Sequence, residues 1–230
     1  MAELIAPPDP RAALRKALAA LKVFPLHGVA VLPGTPAPFH IFEPRYRALV
    51  GDALAGDRIL AVPGLFGKSD ELALRPPVRA VCGVGIIEAV ERHDDGRFDI
   101  VLRGLARVRL LDELPATRIY REFRAELVED VLPAGGAAAL APRLEALRRI
   151  VYDLSTRLPQ ESGALQLAEA VAQMKDPSAV ADLVAAAAVS EPDPRQKVLE
   201  EADVARRLDL VMGEVAGVVL MLSKGRGPKA

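Results

Sequence analysis

From Val23 to about Val131 the apolar positions of this 230-residue chain alternate over short runs. Phe98, Ile100 and Leu102 interleave with Asp99, Val101 and Arg103; Phe123, Ala125 and Leu127 interleave with Glu122, Arg124 and Glu126. A period of two marks strands that bury one face. Arg79 to Glu91 is apolar almost throughout and contains Gly83 and Gly85, where a bulge or tight curvature fits. His93-Asp94-Asp95-Gly96 reads as a hairpin turn, and Pro33-Gly34, Pro63-Gly64 and Pro76-Pro77 mark loops. Many short strands with little helix predict a closed or partly closed barrel.

Beyond Ala137 the period lengthens. Leu144, Leu147, Val151, Leu154 and Leu158 share one helical face after Pro142, and Leu165, Ala168, Val171 and Ala172 form a shorter one. Asp176-Pro177 pairs an N-cap with a proline at the first helical position, and Asp193-Pro194 is expected to repeat the device. Asp203 caps a last helix striped by Val204, Leu208, Val211, Val215, Val218 and Leu222. Four or five helices should therefore form a bundle. The expected organisation is an extension over 1–22 holding a short amphipathic helix, a β-rich barrel over 23–132, a helical bundle over 137–222 and a disordered tail over 223–230. The fold class is α+β.

Apolar residues make up 51% of the chain, but no uncharged run approaches the roughly 20 residues needed to span a bilayer. Arg11, Arg15 and Lys16 interrupt the N-terminal Ala/Leu content, so a secretory leader is not expected and a cytoplasmic setting is. Cys82 is alone, in an apolar strand without charged neighbours, and reads as a buried, inert thiol. Net charge is −1 and the balance is even in both halves. Arg103, Arg107, Arg109, Arg118, Arg121 and Arg124 cluster, but interleaved acids make them read as the wet face of a sheet, not a nucleic-acid patch.

The densest chemistry lies in Phe39-His40-Ile41-Phe42-Glu43-Pro44-Arg45-Tyr46, which holds three of the nine aromatics (6 Phe and 3 Tyr). The run reads as an apolar strand or loop turning into a helix, with Pro44 at its first position and Glu43 at the positive end of its dipole. With Phe24-Pro25-Leu26 through Leu32-Pro33-Gly34 upstream, it resembles the start of the Lon N-terminal, substrate-binding domain family, with Phe39 where Leu is usual. Ala179 to Ala186, Arg195 to Glu200 and Asp203 to Leu208 continue the resemblance, which covers about residues 21–222. Arg195 stands where Lys is usual, and Val180 where Leu is. The resemblance implies a mixed pseudo-barrel with one helix, similar in shape to PUA-type domains, followed by the helical segment.

The same resemblance implies recognition without catalysis, in a stand-alone protein lacking the ATPase and Ser-Lys protease domains of Lon. Gly64-Leu65-Phe66-Gly67-Lys68-Ser69 imitates a P-loop, but Val62 replaces the required first glycine and Pro76 and Pro77 follow where the phosphate-binding helix should run. No cofactor is expected. The three histidines, His27, His40 and His93, show no metal-ligand spacing, although His27 and His40 can be imagined to approach each other. His40 is expected to hydrogen-bond to backbone or to Glu43, and Glu43 and Arg45 to form a buried ion pair locking the helix onto the barrel. Asp94 and Asp95 read as a turn, not a catalytic pair.

The expected function is the binding of exposed apolar or unfolded segments of protein clients, with an adaptor role toward an ATP-dependent protease as its extension. A groove between the two halves, lined by Leu32, Phe39, Phe42 and Phe66, would receive an extended peptide that adds to a free strand edge. Two alternatives stand beside it: a small-molecule or enzymatic pocket using His40, Glu43 and Tyr46, and RNA binding of the PUA type. Neither nucleic acid nor membrane is an expected partner, and the oligomeric state is open.

Overall fold

The computed structural model describes residues 3–4, 9–66 and 75–225. Gly67, Lys68 and Ser69 of the P-loop imitation, and the tail beyond Gly225, lie outside the described residues. The chain divides into two compact units, Met1–Val128 and Glu129–Ala230.

The first unit runs β1 (Glu3–Leu4), α1 (Pro10–Ala17), β2 (Leu21–Val23), β3 (Pro36–Ile41), α2 (Pro44–Leu54), β4 (Ile59–Val62), β5 (Val81–Arg92), β6 (Phe98–Glu113) and β7 (Arg121–Leu127). Strand β5 pairs with β4, β4 with β2, β2 with β7, β7 with β6, and β6 again with β5, so five strands close on themselves. The β2–β4 pair is parallel and its neighbours antiparallel, which makes the barrel mixed. Strand β6 is long because it serves twice. Its Phe98–Arg103 half faces β3 and its Val108–Glu113 half faces β7. Register shifts at Val84/Gly85 and Ile87/Ala89 supply the curvature expected from the β5 glycines.

Alternation along β4 divides the core. Leu60 and Val62 join a cluster closed by Tyr46, Leu49, Val50 and Ala53 of α2. Ile59 and Ala61 face a second cluster that includes Leu14 and Ala17 of α1. Helix α1 is thus part of the core rather than an appendage ahead of it. The segment through Val31 and Leu32 presses against the sheet so closely that a Cβ on Gly83 would lie 1.8 Å from the Val31 carbonyl oxygen, and one on Gly104 2.1 Å from that of Leu32. Only glycine permits this approach.

The second unit contains α3 (Ala141–Arg157), α4 (Ala164–Gln173), α5 (Pro177–Ala188), α6 (Pro192–Glu200) and α7 (Val204–Ser223). Asp176 caps α5 by accepting from the Ser178 N–H at 3.0 Å, and Asp203 caps α7 by accepting from Ala205 and Arg206 at 2.9 and 3.1 Å. The Asp193-Pro194 expectation is corrected: Glu191 is the cap residue and Pro192 opens α6, with Asp193 inside the first turn. Both prolines fit there because first-turn N–H groups lack intrahelical partners in any case. Along α7 the stripe is buried from Val204 to Val215, whereas Val218 and Leu222 are only half-buried.

Candidate functional site

Strand β3 lies at a sheet edge, and its alternation is plain: Ala37, Phe39 and Ile41 turn inward, Pro36, Pro38 and His40 outward. Pro44 then starts α2 at its first position, with Glu43 extended at the cap. The inward aromatics are structural. Phe24 packs edge-on to Phe39 with centroids 5.5 Å apart, and to Tyr46 at 4.6 Å. Burial foremost raises the Tyr46 phenol above its ordinary pKa.

The outward residues meet partners that are remote in sequence. Register places His40 opposite Asp99, and Asp99 opposite Glu91, so one row crosses β3, β6 and β5. His40 Nδ1 lies 2.5 Å from Asp99 Oδ1, and His93 Nε2 lies 2.7 Å from Asp99 Oδ2. Hydrogen bonds from these two imidazoles, His40 first, hold the Asp99 carboxyl below its usual pKa. The ionised carboxylate accepts from both rings. Arg97 Nη1 lies 3.3 Å from His40 Nε2, which can accept from it when the ring carries a single proton, on Nδ1. Phe42 stacks beside His40 at 6.1 Å and 25°.

Several expectations change here. His40 is held by Asp99, not by Glu43 or the backbone, and its histidine neighbour is His93 rather than His27. Glu43 and Arg45 do pair, at 2.9 Å, but with side chains 40% and 44% exposed, so the pair is not a buried lock. Arg45 instead lays its guanidinium over the Tyr46 ring at 4.4 Å. Leu32 is wholly buried and lines no surface. Phe66 is exposed, with Arg79 over its ring at 5.3 Å.

Beside the imidazoles an open hollow of about 390 Å³ crosses the outer face of β3, β5 and β6, lined by Pro38, Phe39, His40, Ala89, Glu91 and Val101 among others. Phe42, 61% exposed, stands next to it through its stack on His40. Of the four side chains expected to line a binding surface, Leu32 is buried, Phe39 is half-buried against Phe24, and Phe42 and Phe66 are exposed. Sequence reasoning missed Asp99 and His93 as members of this site. The hairpin and the alternation around Phe98 were both visible, but not the strand that β6 would meet. The arginine cluster is mostly neutralised by acids: Arg103 pairs with Glu88, Arg109 with Glu126, Arg118 with Asp52, Arg121 with Glu113, and Arg124 with Asp112. Arg107 is an exception to the wet-face expectation, being buried.

The mixed barrel unit and, among the described residues, the five α-helices of the second unit make the chain α+β. The chain matches the family described as the ATP-dependent protease La (LON) substrate-binding domain over residues 20–216, and it belongs to that family. It is 32% identical to a Lon protease of Salinispora arenicola over 86% of this chain and 24% of that protein. It is 29% identical to a Lon protease of Anaeromyxobacter dehalogenans over 84% of this chain and 22% of that one. The chain thus spans about a quarter of the length of these curated relatives. Its fold is similar to the N-terminal domain of the Mycobacterium avium complex Lon protease, at a TM-score of 0.68 and 19% identity, covering 86% of this chain and 98% of that one. A Lon N-terminal domain protein from Xanthomonas campestris matches at a TM-score of 0.54 and 22% identity, covering 84% and 97%. Among the described residues no helix is long and apolar enough to cross a membrane.

Proposed function

We propose that the barrel unit recognises exposed apolar segments of other polypeptides and performs no chemistry on them, in a cytoplasmic setting. The observation that carries this reading is Phe42, an aromatic left 61% exposed beside an open hollow, in a chain of a substrate-binding family. Phe42 follows β3 and precedes α2, and aromatic residues are enriched among the side chains that carry most of the energy at interfaces. Recognition here is led by side chains. Prolines in sheets turn their missing N–H away from the paired neighbour, so the open side of β3 lacks two donors at Pro36 and Pro38. Strand addition at that edge is correspondingly weak. Delivery of clients to an ATP-dependent protease extends the same proposal. The acid-paired arginines support setting nucleic acid aside.

The test is fluorescence anisotropy of a labelled, unstructured peptide rich in Leu and Phe, against a Ser/Gly counterpart of equal length. The apolar peptide should bind and the polar one should not. Phe42→Ser should weaken binding by about tenfold, the size of a modest hot spot. Equal affinity for both peptides, or no effect of Phe42→Ser, overturns the reading.

A further inference from the structure

We propose that His40, His93 and Asp99 form a binding site for a divalent transition-metal ion of the Zn²⁺ type. The proposal is independent of peptide recognition. One ligand atom from each residue can be chosen so that all lie within 4.8 Å of one another. Tetrahedral zinc, with bonds of about 2.0–2.2 Å to N and O, spaces its donors by roughly 3.3 Å. Asp99 now holds the two imidazole nitrogens at 2.5 and 2.7 Å, so to take an ion the nitrogen–oxygen separations must widen to that spacing. Two imidazoles and one carboxylate are the donor set that such ions prefer, with water completing the shell.

The backbone fixes the three positions. His40 and Asp99 are direct partners across β3 and β6. His93 ends the β5–β6 hairpin, where its N–H donates to the Arg97 carbonyl at 3.0 Å and Gly96 takes a φ of 81°. The Phe42 stack limits rotation of the His40 ring. A site on paired strands and a tight turn is better preorganised than one on loose loops. As a surface ion pair the cluster is worth little to stability, because exposed pairs are screened by water and salt. The side chains of His40, His93 and Asp99 are 45%, 34% and 46% exposed, which leaves them reachable by an ion.

Arg97 works against the ion. Binding through His40 Nδ1 requires the proton to sit on Nε2, where Arg97 Nη1 now donates, so the guanidinium must withdraw. Its Nε stays tied to Asp95 at 2.6 Å. Removing this cation should therefore tighten metal binding, the opposite of what removing a ligand does.

The experiment uses the full chain, free of any affinity tag and stripped with chelator, titrated with ZnCl₂ calorimetrically and with Co²⁺ by visible absorption. One equivalent should bind, with the Co²⁺ bands of a low-coordinate nitrogen–oxygen site. His40→Ala, His93→Ala and Asp99→Asn should each weaken binding by at least about a hundredfold, the upper end of the roughly 10–100-fold that loss of an outer-shell partner costs. His27→Ala should leave it unchanged, and Arg97→Ala should strengthen it. Circular dichroism of each variant confirms that these surface changes leave the fold intact. Absence of saturable binding, or binding indifferent to the three ligand variants, overturns the site.

Discussion

Arg207 Nη2 lies 2.6 Å from Asp130 Oδ1 while the arginine side chain is entirely withdrawn from solvent. Nη1 donates to Ser178 Oγ at 2.8 Å, and Nε to the Glu201 carbonyl at 2.8 Å. Ser178 Oγ in turn donates to Asp130 Oδ2 at 2.5 Å, closing a triangle among the entry segment, α5 and α7. Asp182, equally buried, stands 3.8 Å from Nη1. The polar residues of the helical family motifs, Asp182, Gln196 and Arg207, are therefore interior parts of the second unit.

Arg207→Ala strands these acceptors. Removing one partner of a buried pair costs about 3–5 kcal/mol, and urea unfolding followed by helical circular dichroism should show a loss of that size. Ser178→Ala removes only a bridge and should cost about 0.5–1.5 kcal/mol.

Glycines distinguish close packing from open surface. Gly83→Ala and Gly104→Ala drive a Cβ into the carbonyl oxygens of Val31 and Leu32 and should each destabilise the barrel by about 1–3 kcal/mol or more. On α7, Gly213 and Gly217 meet nothing within 4 Å, so alanine there should stabilise by up to about 1 kcal/mol. Melting curves of the four variants should separate into two signs.

Tyr120 donates its hydroxyl to Asp52 at 2.6 Å. Burial first, and that bond second, raise its phenol well above the ordinary tyrosine pKa. Because the folded value exceeds the unfolded one of about 10, the contribution to stability is intact below pH 10 and lost as pH rises beyond it. Ultraviolet titration should show this phenolate forming only as the protein unfolds. Tyr120→Phe should abolish the corresponding loss of stability between about pH 10 and 12.

Cys82 is fully buried, and desolvation pushes its thiol far above the usual pKa. It should resist iodoacetamide and aromatic disulfides in the native protein and react stoichiometrically in denaturant. Fast native labelling would contradict the packed β5.

Much of this architecture rests on local rules that a single chain carries in order. The caps at Asp176 and Asp203, the start of α2 at Pro44, the Asp94-Asp95 turn and the alternation of β6 depend on neighbours a few residues apart. They were legible because backbone donors, proline geometry and side-chain period act at that range. Even there, the choice between Pro192 and Pro194 as the start of α6 was not legible, since both prolines tolerate the first turn.

What only the tertiary structure decided is which outward residues meet. His40 and Asp99 are 59 positions apart, and their encounter depends on β3 pairing with β6 in one register. A shift by one residue would turn Asp99 to the opposite face. The same holds for Leu32, whose burial depends on the glycines of two distant strands, and for Arg207, whose charge is matched across the helical unit by Asp130. Hydrophobic period determines which face of an element is buried. Long-range packing determines what each remaining polar group finds opposite it.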